Sequence, residues 1–196
     1  GAVLLLLGPI QLIGEIRAKA PAVHRWIGRV YAFAAFAAGV GGLAFIAVKG
    51  TVGGLPMTVG FAMHGGLMVV AADQTVRHAM ARRIAVHRAW AIRLFALAIG
   101  SWLYRMAYGF WFLFAGDTGH TDDFSGWFDY IMDFAFFIPP LIVAEMFIRA
   151  RRARASTAGR VGATAALAGG AAFIALATFF FTAYGWGPAI ATRFGA

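Results

Sequence analysis

Three ionisable residues, His64, Arg105 and Asp133, stand deep inside long apolar runs of this 196-residue sequence. Where such a run is surrounded by hydrocarbon, each ionisable group costs about 2.5–3.5 kcal/mol even on insertion scales, so each needs a partner or a task. Counting ~1.5 Å per residue from the nearer helix ends puts His64 at roughly 12 Å depth, Arg105 at roughly 13 Å and Asp133 at roughly 9 Å. They share a layer, and the expectation is an Arg105–Asp133 pair. His64, Tyr104, Tyr108 or Tyr130 complete its hydrogen bonds. Such a cluster reads either as a structural ion pair that fixes helix register or as a ligand or proton site open to the outer face.

A second polar layer lies at the other end of the apolar runs: Gln11, His24, Arg29, Asp73, Gln74, His78, His87, Arg88, Arg93 and Glu145. Asp73 and Glu145 are acids amid a dense arginine set, so ion pairing is expected there. His24, His78 and His87 share this layer, which admits a b-type haem held between two histidines with arginines for its propionates. Interfacial anchoring and helix clamping account for the same residues without a cofactor. Other chemistries are excluded by composition or pattern. The lysines, Lys19 and Lys49, both fall in loops, so no retinal Schiff base can form in mid-membrane. Cysteine is absent, and no His-Glu-x-x-His, Gly-rich phosphate loop or Gly-x-Ser-x-Gly elbow occurs. Asp122-Asp123 reads as a solvated loop, with weak cation binding as the alternative.

The elements that position these residues follow from composition. Hydrophobic residues make up 61% of the chain and charged ones 13%; mean hydropathy is +0.75. An ordinary soluble domain carries about 25% charged residues, so lipid bilayer is the solvent that suits this chain. A crossing needs about 20 apolar residues. The sequence predicts an all-α polytopic bundle of about six transmembrane helices in a single domain: Gly1 to Glu15, His24 to Val48, Pro56 to Met80, Arg88 to Phe114, Trp127 to Arg149 and Val161 to Tyr184. The first is short because the chain opens inside an apolar run, and the expectation is that the natural protein begins further upstream. Gly185 to Ala196 reads as an interfacial tail.

The net charge of +9 does not point to nucleic acid, because the charges sit in short loops between apolar runs. Arg17, Lys19, Arg25, Arg29, Arg77, Arg82, Arg83, Arg88, Arg93, Arg149, Arg151, Arg152, Arg154 and Arg160 are 14 of the 17 basic residues, all on one side. The other side holds the acidic loop Asp117–Asp123. By the positive-inside rule the arginine loops are cytoplasmic. Small residues recur at four-residue spacing as Ala34, Ala38 and Gly42, and as Gly162, Ala166 and Gly170. Such stripes allow close helix approach, either within the bundle or toward another membrane subunit. Pro139-Pro140 breaks the ladder of the fifth helix.

Two helices open alike. His24-Arg25-Trp26 is followed by Arg29 and Tyr31; His87-Arg88-Ala89-Trp90 is followed by Arg93 and Phe95. The echo suggests a duplicated helical hairpin. These two motifs, with Gly8-Pro9-Ile10-Gln11, Arg105 and Val143-Ala144-Glu145, resemble the domain-of-unknown-function 2306 family of bacterial multi-pass membrane proteins. The resemblance runs from about Gly8 to Arg149. Pro139-Pro140 departs from it, standing where the family pattern carries Pro-Asn. The family implies membrane class and topology and has no established activity. With no catalytic constellation, little extramembrane mass and small-residue stripes, the expectation is a non-catalytic accessory subunit of the bacterial inner membrane, packed against a larger complex. The alternatives are a b-haem electron carrier and a small transporter or proton-coupled channel.

Overall fold

A computed structural model describes residues 1–151 and 156–195. Arg152 and Arg154, counted among the loop arginines, lie outside the described residues. Helices run α1 (Ala2–Leu12), α2 (Gly14–Lys19), α3 (Pro21–Lys49), α4 (Gly54–Met80), α5 (Ile84–Ala115), α6 (Trp127–Ala135), α7 (Ile138–Ala150), α8 (Thr157–Phe180) and α9 (Gly187–Phe194). A π-helical turn, Phe181–Trp186, joins the last two. The described chain is all-helical. Five stretches are long and apolar enough to cross a membrane: Pro21–Lys49, Gly54–Met80, Ile84–Ala115, Trp127–Ala150 and Thr157–Arg193. Ala2–Leu12 is apolar but shorter. Local chemistry explains the ends. Pro21 begins α3, where its missing N–H is not needed. Gly50 and Gly116 end α3 and α5 at φ 70° and 58°, a conformation glycine adopts without strain.

The bundle is built around α4, which packs against α3, α5 and α6. The short α1 lies along α3 and α5, while α7 and α8 pack beside α5. Lipid offers no hydrophobic drive between helices, so close backbone approach must do the work. At the α3–α4 crossing, a Cβ on Gly39 would sit 2.9 Å from the Gly65 carbonyl oxygen, and one on Gly65 would sit 3.3 Å from that of Gly39. Tyr31, Ala32 and Ala35 complete the buried face of α3. This corrects the stripe read from sequence. Ala38 and Gly42 are exposed, Ala34 is half-buried, and nothing lies within 4 Å of a Cβ on Gly42. The contact face is rotated by one residue from that stripe, and four-residue spacing alone cannot tell neighbouring stripes apart. On α8, Gly162 and Ala166 are half-buried and Gly170 is exposed.

The fourth crossing is broken as its prolines require. Pro139 and Pro140 carry no N–H, and α6 ends at Ala135, with Phe136 and Phe137 between it and α7. The Phe137 amide turns to the Phe134 carbonyl instead of continuing the α ladder. The freed carbonyls of Asp133 and Phe136 press against Gly60 of α4 and Gly100 of α5, where a Cβ would collide with them.

Replacing Gly39 by Ala is expected to destabilise the protein by about 1–3 kcal/mol, because Gly65 backbone and Val69 must yield. Gly42→Ala, facing open space, should change stability by less than about 0.5 kcal/mol. Unfolding in mixed detergent micelles measures both.

Candidate functional site

The site grows from the first two turns of α6. Gly126 in extended conformation starts the helix, and Asp129 turns back to accept the Gly126 amide at 3.0 Å. An acid there also meets the positive end of the helix dipole. Asp129 is fully buried, yet every lone pair is used. It accepts from Tyr108 Oη at 2.6 Å, His120 Nδ1 at 2.7 Å and the Thr121 amide at 3.2 Å. Tyr104 Oη donates to Tyr108 Oη at 3.3 Å. A chain of exchangeable protons thus runs from His120, in the loop after α5, through Asp129 and Tyr108 to Tyr104.

One turn along α6, Asp133 is its opposite. It is also fully buried, but neither carboxyl oxygen has a hydrogen-bond partner among the described residues. Asp129 and Asp133 are four residues apart on one helix face, separated by ~6 Å along the axis. Asp133 lies within electrostatic range of Asp129 and Tyr104. Phe61, Tyr104 and Phe136 close around one another nearby, with ring centroids 4.9–5.4 Å apart. A buried, unpartnered carboxyl is costly and rare.

Arg105 is not its counter-ion. The side chain is exposed on the outer surface of α5 and donates to the Ser101 carbonyl at 3.2 Å. Depth along a helix says nothing of azimuth, and Tyr104 and Tyr108 take the inward stripe instead. His64 is buried as expected, and its Nε2 meets the Leu97 carbonyl at 2.9 Å, tying α4 to α5. The rings of Phe136 and Phe137 cover it. Among the three predicted partners, none is hydrogen-bonded to another. His120 and Asp129 escaped the sequence reading. The available signal was an acid at the third position of a helix, four residues before Asp133.

Beyond His120, Phe112, Asp117, His120, Thr121 and Asp122 line an open depression of about 480 Å3. Its rim is ordered by Asp123, which accepts from Thr121 Oγ1 at 2.6 Å and Ser125 Oγ at 2.7 Å. These two hydroxyls hold the Asp123 carboxyl below its ordinary value of 3.8.

At the arginine-rich end the expected ion pairs form. Arg77 bonds Asp73 at 2.9 Å, Arg93 bonds Glu145, and Arg149 approaches Glu145 at 3.8 Å. Arg93 stacks over Trp90 and Arg29 over Trp26, 4.8 and 5.4 Å from the ring centroids. Of the candidate haem ligands, His87 meets the Thr75 carbonyl through Nδ1 at 2.9 Å. His24 Nδ1 is buried without a partner among the described residues. His78, on the last turn of α4, makes no side-chain hydrogen bond among them. No group of three or more metal-ligating side chains is assembled among the described residues. Gln11 Oε1 lies 3.1 Å from the Cβ position of Gly28.

The family model described as "Predicted membrane protein (DUF2306)" matches residues 1–148. The chain belongs to this family. The match includes α6, the loop before it and the arginine-rich helix starts, and leaves out α8 and α9. No curated protein and no solved structure matches the chain.

Tyr108→Phe removes one hydrogen bond to a buried carboxylate and is expected to cost about 1.5–3 kcal/mol. It should also speed amide exchange at Thr121 and Gly126. Tyr130→Phe, on an exposed ring, should do neither; denaturation and hydrogen exchange report both. Because the folded-state value of Asp123 is depressed, its contribution to loop order is present above its unfolded value of 3.8 and is lost as pH falls through the lower one. Exchange of the Ser125 amide, which bonds Thr121 Oγ1, should rise in that acid window.

Proposed function

We propose that this DUF2306 protein is a small proton-coupled carrier of the bacterial inner membrane, with Asp133 as its proton-exchanging group and the arginine loops in the cytoplasm. The observation that carries the reading is the carboxyl of Asp133, buried to 0% exposure with both oxygens unpartnered among the described residues. Acids kept within the membrane without a structural partner mark ion and proton pathways. The neighbouring chain supplies the route. A proton taken up at one nitrogen of His120 releases the proton on the other to Asp129. Reorientation of the Tyr108 and Tyr104 hydroxyls passes it on toward Asp133, one proton entering for each that leaves. A broken crossing beside the acid supports the reading further, since discontinuous helices line many transporter sites.

A second reading, as a subunit docked on a larger membrane complex, is favoured by Arg105, an exposed cation whose side-chain hydrogen bond among the described residues goes to a backbone carbonyl. The exposed small residues of α3 and α8 fit the same reading. Mild-detergent purification separates the two: a chain that migrates alone counts against docking and leaves the carrier reading intact.

For the carrier, protein in liposomes loaded with a pH-sensitive dye is driven by a potassium diffusion potential. Asp133→Asn is expected to slow proton uptake roughly tenfold while Arg105→Ala leaves it unchanged. Wild-type uptake by a folded Asp133→Asn protein, or no uptake above protein-free liposomes, overturns the reading.

A further inference from the structure

Arg105 is the one charged residue between Leu94 and Ala115, and it stands ~15 Å along the axis from the end of α5. An arginine near the end of a crossing ordinarily extends its side chain to the nearer headgroups. This one turns the other way. Its Nη1 donates to the Ser101 carbonyl, one turn toward the middle of α5. A guanidinium carries five N–H donors in a planar fork, and that is the single side-chain hydrogen bond Arg105 makes among the described residues.

Arg105, Gly109 and Phe112 are spaced i, i+4, i+7, which is one stripe of α5. Where that stripe passes the junction of α8 and the π-helical turn, a furrow of about 350 Å3 opens. Gly109, Phe112 and Leu113 line one wall, and Phe180, Phe181 and Tyr184 the other. Phe112, Leu113 and Tyr184 are exposed. Beyond the furrow, α8 buries Ala163 and Ala177 of its 24 residues. Nothing lies within 4 Å of a Cβ on Gly169 or Gly170, so a second backbone has room to approach. The surface is apolar, as long as a crossing, and carries one cation at the inner end of its furrow.

Charge decides the occupant. A phospholipid phosphate stays at headgroup level, the direction from which the guanidinium turns away. A second copy of this chain has no carboxylate to offer. Asp129 and Asp133 are fully buried, while Asp73 and Glu145 pair with arginines at the opposite end of the bundle. Two copies side by side would set Arg105 against Arg105. What fits is a foreign apolar helix with one carboxylate, which the planar fork can take on two parallel N–H bonds. Such a pair is strong where water is excluded.

We propose that the face formed by α5 and α8 docks a transmembrane helix of another protein, whose Asp or Glu pairs with Arg105. The inference rests on the docked-subunit reading and names that subunit's chemistry. It is independent of Asp133, because Arg105 takes no part in the proton path.

The probe is a synthetic transmembrane helix of leucine and alanine with one glutamate ~15 Å from its outer end, compared with its glutamine twin. The chain has no cysteine, so one fluorophore can be attached at Gly170→Cys, in open space. Energy transfer in liposomes then measures association of labelled peptide with the full chain. The glutamate peptide is expected to bind roughly tenfold more tightly than the glutamine one, and Arg105→Ala, at an exposed position, to abolish the difference. Equal association of both peptides overturns the carboxylate while leaving a docked subunit standing. No association, or a glutamate preference that survives Arg105→Ala, overturns the proposal outright. Displacement of the glutamate peptide by equimolar oleate overturns it too, since the face then takes an anionic amphiphile and not a helix.

Discussion

Within a bilayer there is no solvent to satisfy a stray N–H, carbonyl or carboxyl, and every feature of this chain follows from that constraint. Most polar side chains that pair with one another fall in two groups, one at each end of the bundle. At the acidic end Asp129 draws in a tyrosine, a histidine and two backbone amides until its valence is full. At the other, Arg93 and Glu145 neutralise each other beside Trp90. Between the groups the core is Met, Leu, Ala and aromatic side chains; His64 is buried among them, and its imidazole is spoken for by Leu97. Against this thoroughness, the few unsatisfied atoms stand out.

The same constraint explains the glycines. A carbonyl freed from its helix needs either a donor or close apposition to a neighbour's backbone, where weak Cα–H contacts are available. Gly60 and Gly100 provide that apposition to the two carbonyls released at the interruption of the fourth crossing. The proline pair is thus tolerated because two other helices are shaped to receive what it exposes. Helix packing and helix breaking are one arrangement here, and substitution at either glycine bears on both.

Fold class was legible from hydropathy and charge because a crossing has a fixed length and arginines avoid hydrocarbon. The break at Pro139-Pro140 was legible because proline chemistry is local. Pairings were harder. Asp73 with Arg77 could be read from spacing on one helix, whereas Arg105 with Asp133 failed, since residues on different helices can share a depth and still face away from one another. The face that packs within the bundle was hidden for a related reason: Ala34-Ala38-Gly42 and Ala35-Gly39 differ by one position, and only the neighbour's surface decides between them. His120 was hidden because its partner is set by the course of a loop, which carries no periodicity to read.

Asp133 sits six residues before the proline pair in the first turn of α7, on a segment only nine residues long. Asp129 and Asp133 stand on one unbroken stretch of this short segment, ~6 Å apart along its axis, while the backbone ladder is interrupted at Phe136–Phe137. The clasp on Asp129 therefore fixes the position of Asp133 through the segment they share, independently of the ladder beyond the break.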